Sequence, residues 1–347
     1  MGTAYPNCNA IEQRLGERAW IERPPFSDHT KHAIDTLHQN VFCSLVRFQN
    51  AETDVLAYIS ADESQIKQIV LFSRRRCVIN VLNELFSISD ADLEKFITYV
   101  FNKVSGVELI NFPSVSQRRR MLPYPYQSHN ATEDIVVRLP SSAEAYISSL
   151  SKNTRESIRR YQKRITRELD DIHIAFYEGR DVDIEQIQEV VGLSKARILK
   201  KNEVPTHTAR TLDELGRIVS EYGVALIVTA GDTVIAGVLG TLVRQHFFMH
   251  VVAHDPALDG LRLGKICCYL SICNAIERGA KEYHMLSGEY DYKYRFLGER
   301  RDYERLTVYR SHLAILKNFN VFARSEVRGR GRKVKKNLIK WRDKWAQ

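Results

Sequence analysis

The chain has 347 residues, 44% of them hydrophobic and 27% charged, with a formal net charge of +9. That length is about two domains' worth, and the composition is that of a globular protein with a sizeable core, which excludes a disordered or collagen-like chain. No stretch approaches the roughly 18 uncharged apolar residues of a membrane-spanning helix, and Met1 to Ile11 lacks the basic run and apolar core of a signal peptide.

Six cysteines (Cys8, Cys43, Cys77, Cys267, Cys268, Cys273) form no C-x-x-C pair and no zinc-like spacing. Three of them fall in one apolar helical pattern, where free Cys acts as a small buried hydrophobe. A reduced, cytoplasmic protein without a metal is the expectation. The positive charge is localised. Ten Lys/Arg lie between Arg324 and Lys344 against Glu326 and Asp343, so the body of the chain is close to neutral. A general nucleic-acid binder is therefore not expected.

Taken in order, residues 1–35 contain Pro6, Pro24 and Pro25 and no periodicity, and are read as an irregular lead-in. Ser44 to Phe48, Val55 to Ser60, Gln68 to Ser73 and Cys77 to Leu82 have strand character. Leu93, Phe96, Ile97, Val100, Phe101 and Val104 recur at helical spacing, predicting a helix over Asp90 to Ser105. Ser89 or Asp90 can cap it, Gly106 ends it, and Val107 to Phe112 returns as a strand. A helical block follows. Ser149 to Glu168 is strongly basic, with Ile158, Tyr161 and Ile165 as a thin apolar stripe. Ile172 to Tyr177 reads as a strand and Ile184 to Leu199 as a helix; Thr211 with Glu214 resembles the capping box of a further helix.

The order of events then recurs. Val224 to Thr229, Val234 to Val243 and Phe247 to Val252 read as strands, Leu263 to Arg278 as a helix ended by Gly279, and Glu282 to Leu286 as the following strand. This is a structural echo of the first half with little identity; two unrelated meander-plus-helix units are the alternative. Leu306 to Tyr309 is the last strand.

The two copies differ before the helix. The first has Ser87-Ile88-Ser89-Asp90-Ala91-Asp92, acidic and without glycine. The second has Asp255-Pro256-Ala257-Leu258-Asp259-Gly260-Leu261-Arg262-Leu263-Gly264-Lys265. A strand feeding a Gly-bearing turn and a helix leaves backbone N–H groups facing one point, where a pyrophosphate binds with help from the helix dipole. Gly260, Arg262, Leu263, Gly264 and Lys265 are the candidate donor-binding residues; a turn that glycine merely fits is the alternative.

Acyl transfer to an amine, the reaction implied by the family resemblance described below, needs a base, an oxyanion stabiliser and a proton donor for the leaving group. The segment Gly288-Glu289-Tyr290-Asp291-Tyr292-Lys293-Tyr294-Arg295-Phe296 can supply them. Glu289 and Asp291 are candidate bases or amine anchors, Lys293 can hold an oxyanion, and Tyr292 or Tyr294 can protonate a thiolate. In an extended segment, Glu289, Asp291 and Lys293 would share a face. His250, in the strand beside the donor turn, is a further candidate base.

That segment, with Ile276-Glu277-Arg278-Gly279 before it and the basic Leu150-Ser151-Lys152-Asn153-Thr154-Arg155 and Arg159-Arg160 upstream, resembles the BioF2-like or CelD-like branch of the GNAT acetyltransferases. These are related to the Fem-type peptidyltransferases. The resemblance covers about residues 140 to 312. It implies an α/β protein of two tandem GNAT-like domains, with mixed, mostly antiparallel sheets flanked by helices, and acyl transfer from acetyl-CoA or another acyl-CoA. The acceptor implied is an amino group of a small molecule, sugar or envelope-polysaccharide precursor. The boundaries read as a lead-in at 1–35, a domain without a donor site at 36–140, a domain with the acyl-CoA site at 141–312, and a basic tail at 313–347. Ser194-Lys195-Ala196-Arg197-Ile198 stands where the family often has Trp, which leaves acceptor specificity open. The alternatives are an aminoacyl-tRNA-dependent Fem-type transferase, with tRNA on the basic segments, and a non-catalytic scaffold.

In the tail, Val327, Val334, Leu338, Trp341 and Trp345 fall on one helical face opposite Lys and Arg. Residues 324–347 are therefore expected either to contact an anionic membrane at its inner face or to dock on the core. Gly329 and Gly331 predict a flexible start.

Overall fold

The computed structural model describes residues 17–49, 54–62, 65–116, 121–200, 209–329 and 331. They divide into two compact units, each drawn from separated stretches. Unit 1 comprises residues 1–38, 50–132 and 302–347, and unit 2 residues 39–49 and 133–301.

Unit 1 begins with β1 (Glu17–Glu22) and α1 (Asp28–His38), then β2 (Leu56–Asp62), β3 (Gln65–Arg75), β4 (Val78–Val81), α2 (Asp90–Lys103) and β5 (Leu109–Ser116). Successive pairs from β1 to β4 are antiparallel. The crossover through α2 makes β4 and β5 parallel. β2 and β3 are buried along most of their length and β4 alternates, while α2 buries Leu93, Phe96, Ile97, Val100 and Phe101. Phe96 meets Tyr58 and Phe112 edge-on at 5.2 and 5.9 Å, so the aromatic core ties α2 to the sheet.

In unit 2, α3 (Ala143–Ser149), α4 (Lys152–Glu168) and β7 (Ile172–Glu178) precede α5 (Ile184–Lys200) and α6 (Ala209–Tyr222). Then come β8 (Gly223–Ala230), β9 (Thr233–Val243), β10 (His246–His254), α7 (Leu263–Glu277), β11 (Glu282–His284) and α8 (Asp291–Arg295). Strands β7 to β10 pair antiparallel, and the crossover through α7 makes β10 and β11 parallel. One sheet face packs on α7 and α4 through residues such as Phe247, Met249, Tyr283, Ile158 and Ile165. The other face packs through Leu239, Phe248 and Val251 against Ile187, Val190 and Val191 of α5 and Leu215 and Ile218 of α6.

Both units therefore have the same order and orientation, four antiparallel strands followed by a parallel crossover; the echo predicts the last three of those strands, the helix and the closing strand. Each sheet is completed by a strand from elsewhere in the chain. β6 (Tyr126–Arg138) supplies the partner of β11, and β12 (Glu299–Tyr309) supplies the partner of β5, both antiparallel.

Four expectations are corrected. Residues 17–35 are not irregular: they contain β1 and most of α1, whose Thr30 and Ile34 are buried. Ser44 to Phe48 is a short 3₁₀ turn instead of a strand, because the Ser44 hydroxyl accepts from the Val46 N–H. Gly329 does not begin a flexible segment. The chain is helical over 319–329, and a side chain at Gly329 would lie 3.0 Å from His129 Cβ. The fourth correction concerns Glu289 to Lys293 and belongs to the site. The tail pattern beyond residue 331 lies outside the described residues.

Candidate functional site

The two crossovers carry the informative difference. In unit 1, α2 is closed: the Ser89 hydroxyl accepts from the Asp92 N–H at 3.1 Å, and Asp90 and Asp92 already sit in the first turn. In unit 2, α7 starts from Arg262, whose backbone is left-handed at φ 55°, and no side chain caps it. A helix start without a side-chain cap presents backbone donors and a positive dipole end to whatever lies in front.

In front of α7 is a cleft of about 810 Å³. Its lining includes Arg160 of α4, Arg197 and Lys200 of α5, Arg262 and Lys265 at the helix start, and Arg295 of α8, against two acids, Asp259 and Asp291. Burial, then the nearby Arg295, pushes the Lys265 ammonium below its ordinary range. Its Nζ donates to the Ser157 hydroxyl at 3.2 Å. Asp259 accepts from Lys200 at 2.9 Å and from His254 Nε2 at 2.9 Å, which lowers its pKa to about 2. His254 Nδ1 is buried in the cleft wall without a protein partner. Gly264 is required here by close approach: a Cβ would lie 2.9 Å from that nitrogen. Excess cation and free helix donors fit a polyphosphate ligand.

Behind the cleft the sheet forks. The β10–β11 ladder covers only His246–Phe248 against Glu282–His284, while β10 runs on to His254. Past His284 the chain follows β6: Met285 N–H donates to Ile135 C=O, and Leu286 N–H to Asp134 Oδ1 at 2.9 Å. The edge of β10 beyond Phe248 is thus released from β11.

At the fork stands a buried relay. Asp134 Oδ2 lies 2.7 Å from His284 Nδ1, and His284 Nε2 lies 2.9 Å from His246 Nδ1. A carboxylate only accepts, so Nδ1 of His284 carries its proton and Nε2 accepts from His246. Arg301 holds Glu282 by two bonds of 2.7 and 2.6 Å. Among the described residues, His246, Glu282 and His284 also form a group whose ligand atoms lie within 4.8 Å of one another. As placed, all three are engaged in hydrogen bonds or ion pairs. Residues 134, 246 and 284 are far apart in sequence, so no spacing signals their meeting; the polar His-Asp pair inside apolar strands was the available clue.

The structure gathers Arg262, Gly264, Lys265, Asp291 and Tyr292 in the cleft. Leu263 is buried in the core and can contribute only its backbone. Gly260 stands aside, its carbonyl accepting from Arg164 at 3.3 Å. Glu289, Asp291 and Lys293 do not share a face, because Asp291–Arg295 is a helical turn and not an extended strand. Asp291 pairs with Arg295 at 2.7 Å, and Glu289 with Arg300 at 2.6 Å. Lys293 turns inward, its Nζ donating to the carbonyls of Met285, Leu286 and Ser287 at 2.7, 2.9 and 2.7 Å. His250 lies at a bulge in β10, 2.9 Å from the Thr241 hydroxyl and edge-on to Phe42. Burial raises the Tyr292 phenol, so it stays protonated at neutral pH.

Residues 152–294 match the family described as Acetyltransferase (GNAT) domain. This stretch of the chain is similar to GNAT acetyltransferase domains and has a GNAT-like fold. The solved structure of FemX is similar at 8% identity with a TM-score of 0.60, over 82% of this chain and 96% of that one. A conserved protein of unknown function from Bacteroides thetaiotaomicron is similar at 13% identity with a TM-score of 0.50, over 84% of this chain and 100% of the other. At such identities the likeness is one of fold. No curated protein matches the sequence. Among the described residues of this GNAT-fold protein, no helix is long and apolar enough to cross a membrane. The five described cysteines are free.

Proposed function

We propose that the protein is an acyl-CoA-dependent acyltransferase that acylates an amino group. The observation that carries this reading is the contrast between the capped, acidic start of α2 and the uncapped, cation-lined start of α7. Arg262, Lys265 and the first backbone N–H groups of α7 would hold the phosphates. From there the edge of β10 leads back to the fork, about 20 Å of strand at 3.3 Å per residue, which suits an extended pantetheine arm.

The acyl donor supplies a thioester carbonyl, whose C–S bond breaks as the acceptor nitrogen bonds to carbon. N–H groups of β10 that point away from β9 are placed to receive the carbonyl oxygen. The proton lost by the nitrogen goes to the His284 relay, which Asp134 orients. The Tyr292 hydroxyl, kept protonated by burial, donates to the departing thiolate. The outer face of α4, with Arg159, Lys163 and Arg167 exposed, favours aminoacyl-tRNA as a second possible donor.

Calorimetry tests the assignment. Coenzyme A should bind wild type, and Gly264→Asp should weaken it by about tenfold or more, through bulk against His254 and repulsion of phosphate, about 1.4 kcal/mol. His284→Gln should keep that affinity and lose on the order of 10²-fold in thiol release with an amine panel. Unchanged affinity in folded Gly264→Asp sinks the donor site. Binding of aminoacyl-tRNA but not coenzyme A supports the second reading, and binding of neither makes the domain a scaffold.

A further inference from the structure

The end of unit 1 carries a feature that acyl transfer does not use. After β12, α9 (His312–Lys317) exposes Leu313 and Leu316, 61% and 70% accessible, and the following helix over 319–329 exposes Phe319 and Val327 at 61% and 71%. Four large apolar side chains at such exposure between Leu313 and Val327 are more than the scattered single ones an ordinary monomer surface carries.

The arrangement around the helix is ordered. One side docks on unit 1: Ser325 and Gly329 are buried, Gln127 Nε2 donates to Glu326 at 2.8 Å, and Phe322 lies 6.3 Å from Tyr309. Phe319, Ala323 and Val327 are spaced i, i+4, i+8 and so form one outward stripe. Arg324 and Arg328, both exposed, run along its flank. Apolar stripe, cationic flank and anchored back are the three sectors of a helix lying in a lipid interface, where long basic side chains reach for headgroups while apolar ones enter the acyl boundary. Charge selects the partner. From Arg324 to Lys344 the sequence has ten Lys/Arg against two acids. Arg324 and Arg328 beside the stripe, and the same excess in the sequence that follows, are complementary to an anionic lipid leaflet.

We propose that the face formed by Leu313, Leu316, Phe319 and Val327, flanked by Arg324 and Arg328, rests on an anionic membrane surface. This holds whichever acyl donor the GNAT-like domain takes.

The experiment is co-sedimentation of the full chain with phosphatidylcholine vesicles with and without phosphatidylglycerol, at low salt and at about 0.5 M salt, where screening lengths fall to a few ångströms. The protein should pellet only with the anionic vesicles and be released by salt. The triple variant Leu313→Ser, Leu316→Ser, Phe319→Ser should keep its melting temperature, because all three side chains are exposed, and partition about tenfold or more weakly, the scale of lost leucine and phenylalanine burial. Arg324→Glu with Arg328→Glu should weaken it also. Four results overturn the proposal. The first is no binding to anionic vesicles. The second is a triple variant that binds as well as wild type, which leaves only adsorption by tail charge. The third is a wild-type dimer in sedimentation velocity that the triple variant dissolves, which makes the patch an interface between copies. A triple variant that melts lower likewise overturns it, since the patch is then covered by the chain's own residues.

Discussion

Lys293 illustrates how a charged residue in a functional segment can serve the fold. Its three carbonyl acceptors belong to Met285, Leu286 and Ser287, consecutive residues that leave β11 at the fork. An ammonium has three donors, so one side chain holds that stretch of backbone. Lys293→Met removes those donors and orphans the carbonyl of buried Met285, at about 1–3 kcal/mol. The melting temperature should fall by about 5 °C or more. Burial lowers the Lys293 pKa to about 8, and the nearby carboxylates of Asp134 and Glu133 only partly restore it. Between pH 8 and the ordinary lysine value the unfolded chain therefore binds more protons than the folded one, so stability rises with pH in that window. Urea unfolding at two pH values within it should show the gap between wild type and Lys293→Met widening as pH rises. A gap that narrows, or a variant as stable as wild type, refutes the structural role. Pattern alone could not reveal this, because an alternating polar run reads as a strand until the acceptors that turn Lys293 inward are known.

At the scale of elements, the two crossovers do different work with one geometry. The Ser89 hydroxyl caps the first turn of α2, whereas no side chain caps that of α7. Ser89→Ala should cost about 1 kcal/mol of stability and leave coenzyme A affinity unchanged, as thermal melts and calorimetry can show. A loss of affinity would mean that the cap matters to the site of the other unit. Much of this level was legible in the sequence. The periodicity of Leu93 to Val104, the glycine after each helix and the contrast between Ser89-Asp90 and Arg262-Leu263-Gly264-Lys265 all mark the elements. The fork was not legible. It depends on β11 being only Glu282–His284 and on the following residues bonding to β6, facts of pairing that leave no trace in periodicity. β6 itself escaped notice, since Gln127 to Asp134 is mostly polar and only Ile135–Val137 is a continuous apolar run. The basic cleft was half visible: Arg262 and Lys265 are neighbours of the turn, whereas Arg160, Arg197 and Arg295 arrive from three other helices.

For the molecule as a whole, the decisive feature is that neither unit is a continuous piece of chain. Unit 2 needs Glu133–Arg138 of β6 beside β11, and with them the buried Ile135 and Val137. Unit 1 needs β12 beside β5, which brings the buried Leu306, Val308 and Tyr309. Each such side chain contributes about 1.5–3 kcal/mol on burial, so losing two or three of them, with a row of ladder bonds, is comparable to the 5–15 kcal/mol that holds a domain together. Cutting the chain between β6 and α3 should therefore leave two incomplete proteins. Residues 1–140 would expose the edge of β5 and residues 141–347 the edge of β11, and open apolar edges associate. Each fragment expressed alone should aggregate or lack a cooperative melt, while the two expressed together should co-purify with a cooperative transition and, on the proposed function, coenzyme A binding. A soluble, monomeric 141–347 fragment that melts cooperatively would show that β6 is dispensable to the GNAT-like domain and that the strand exchange is no part of its stability.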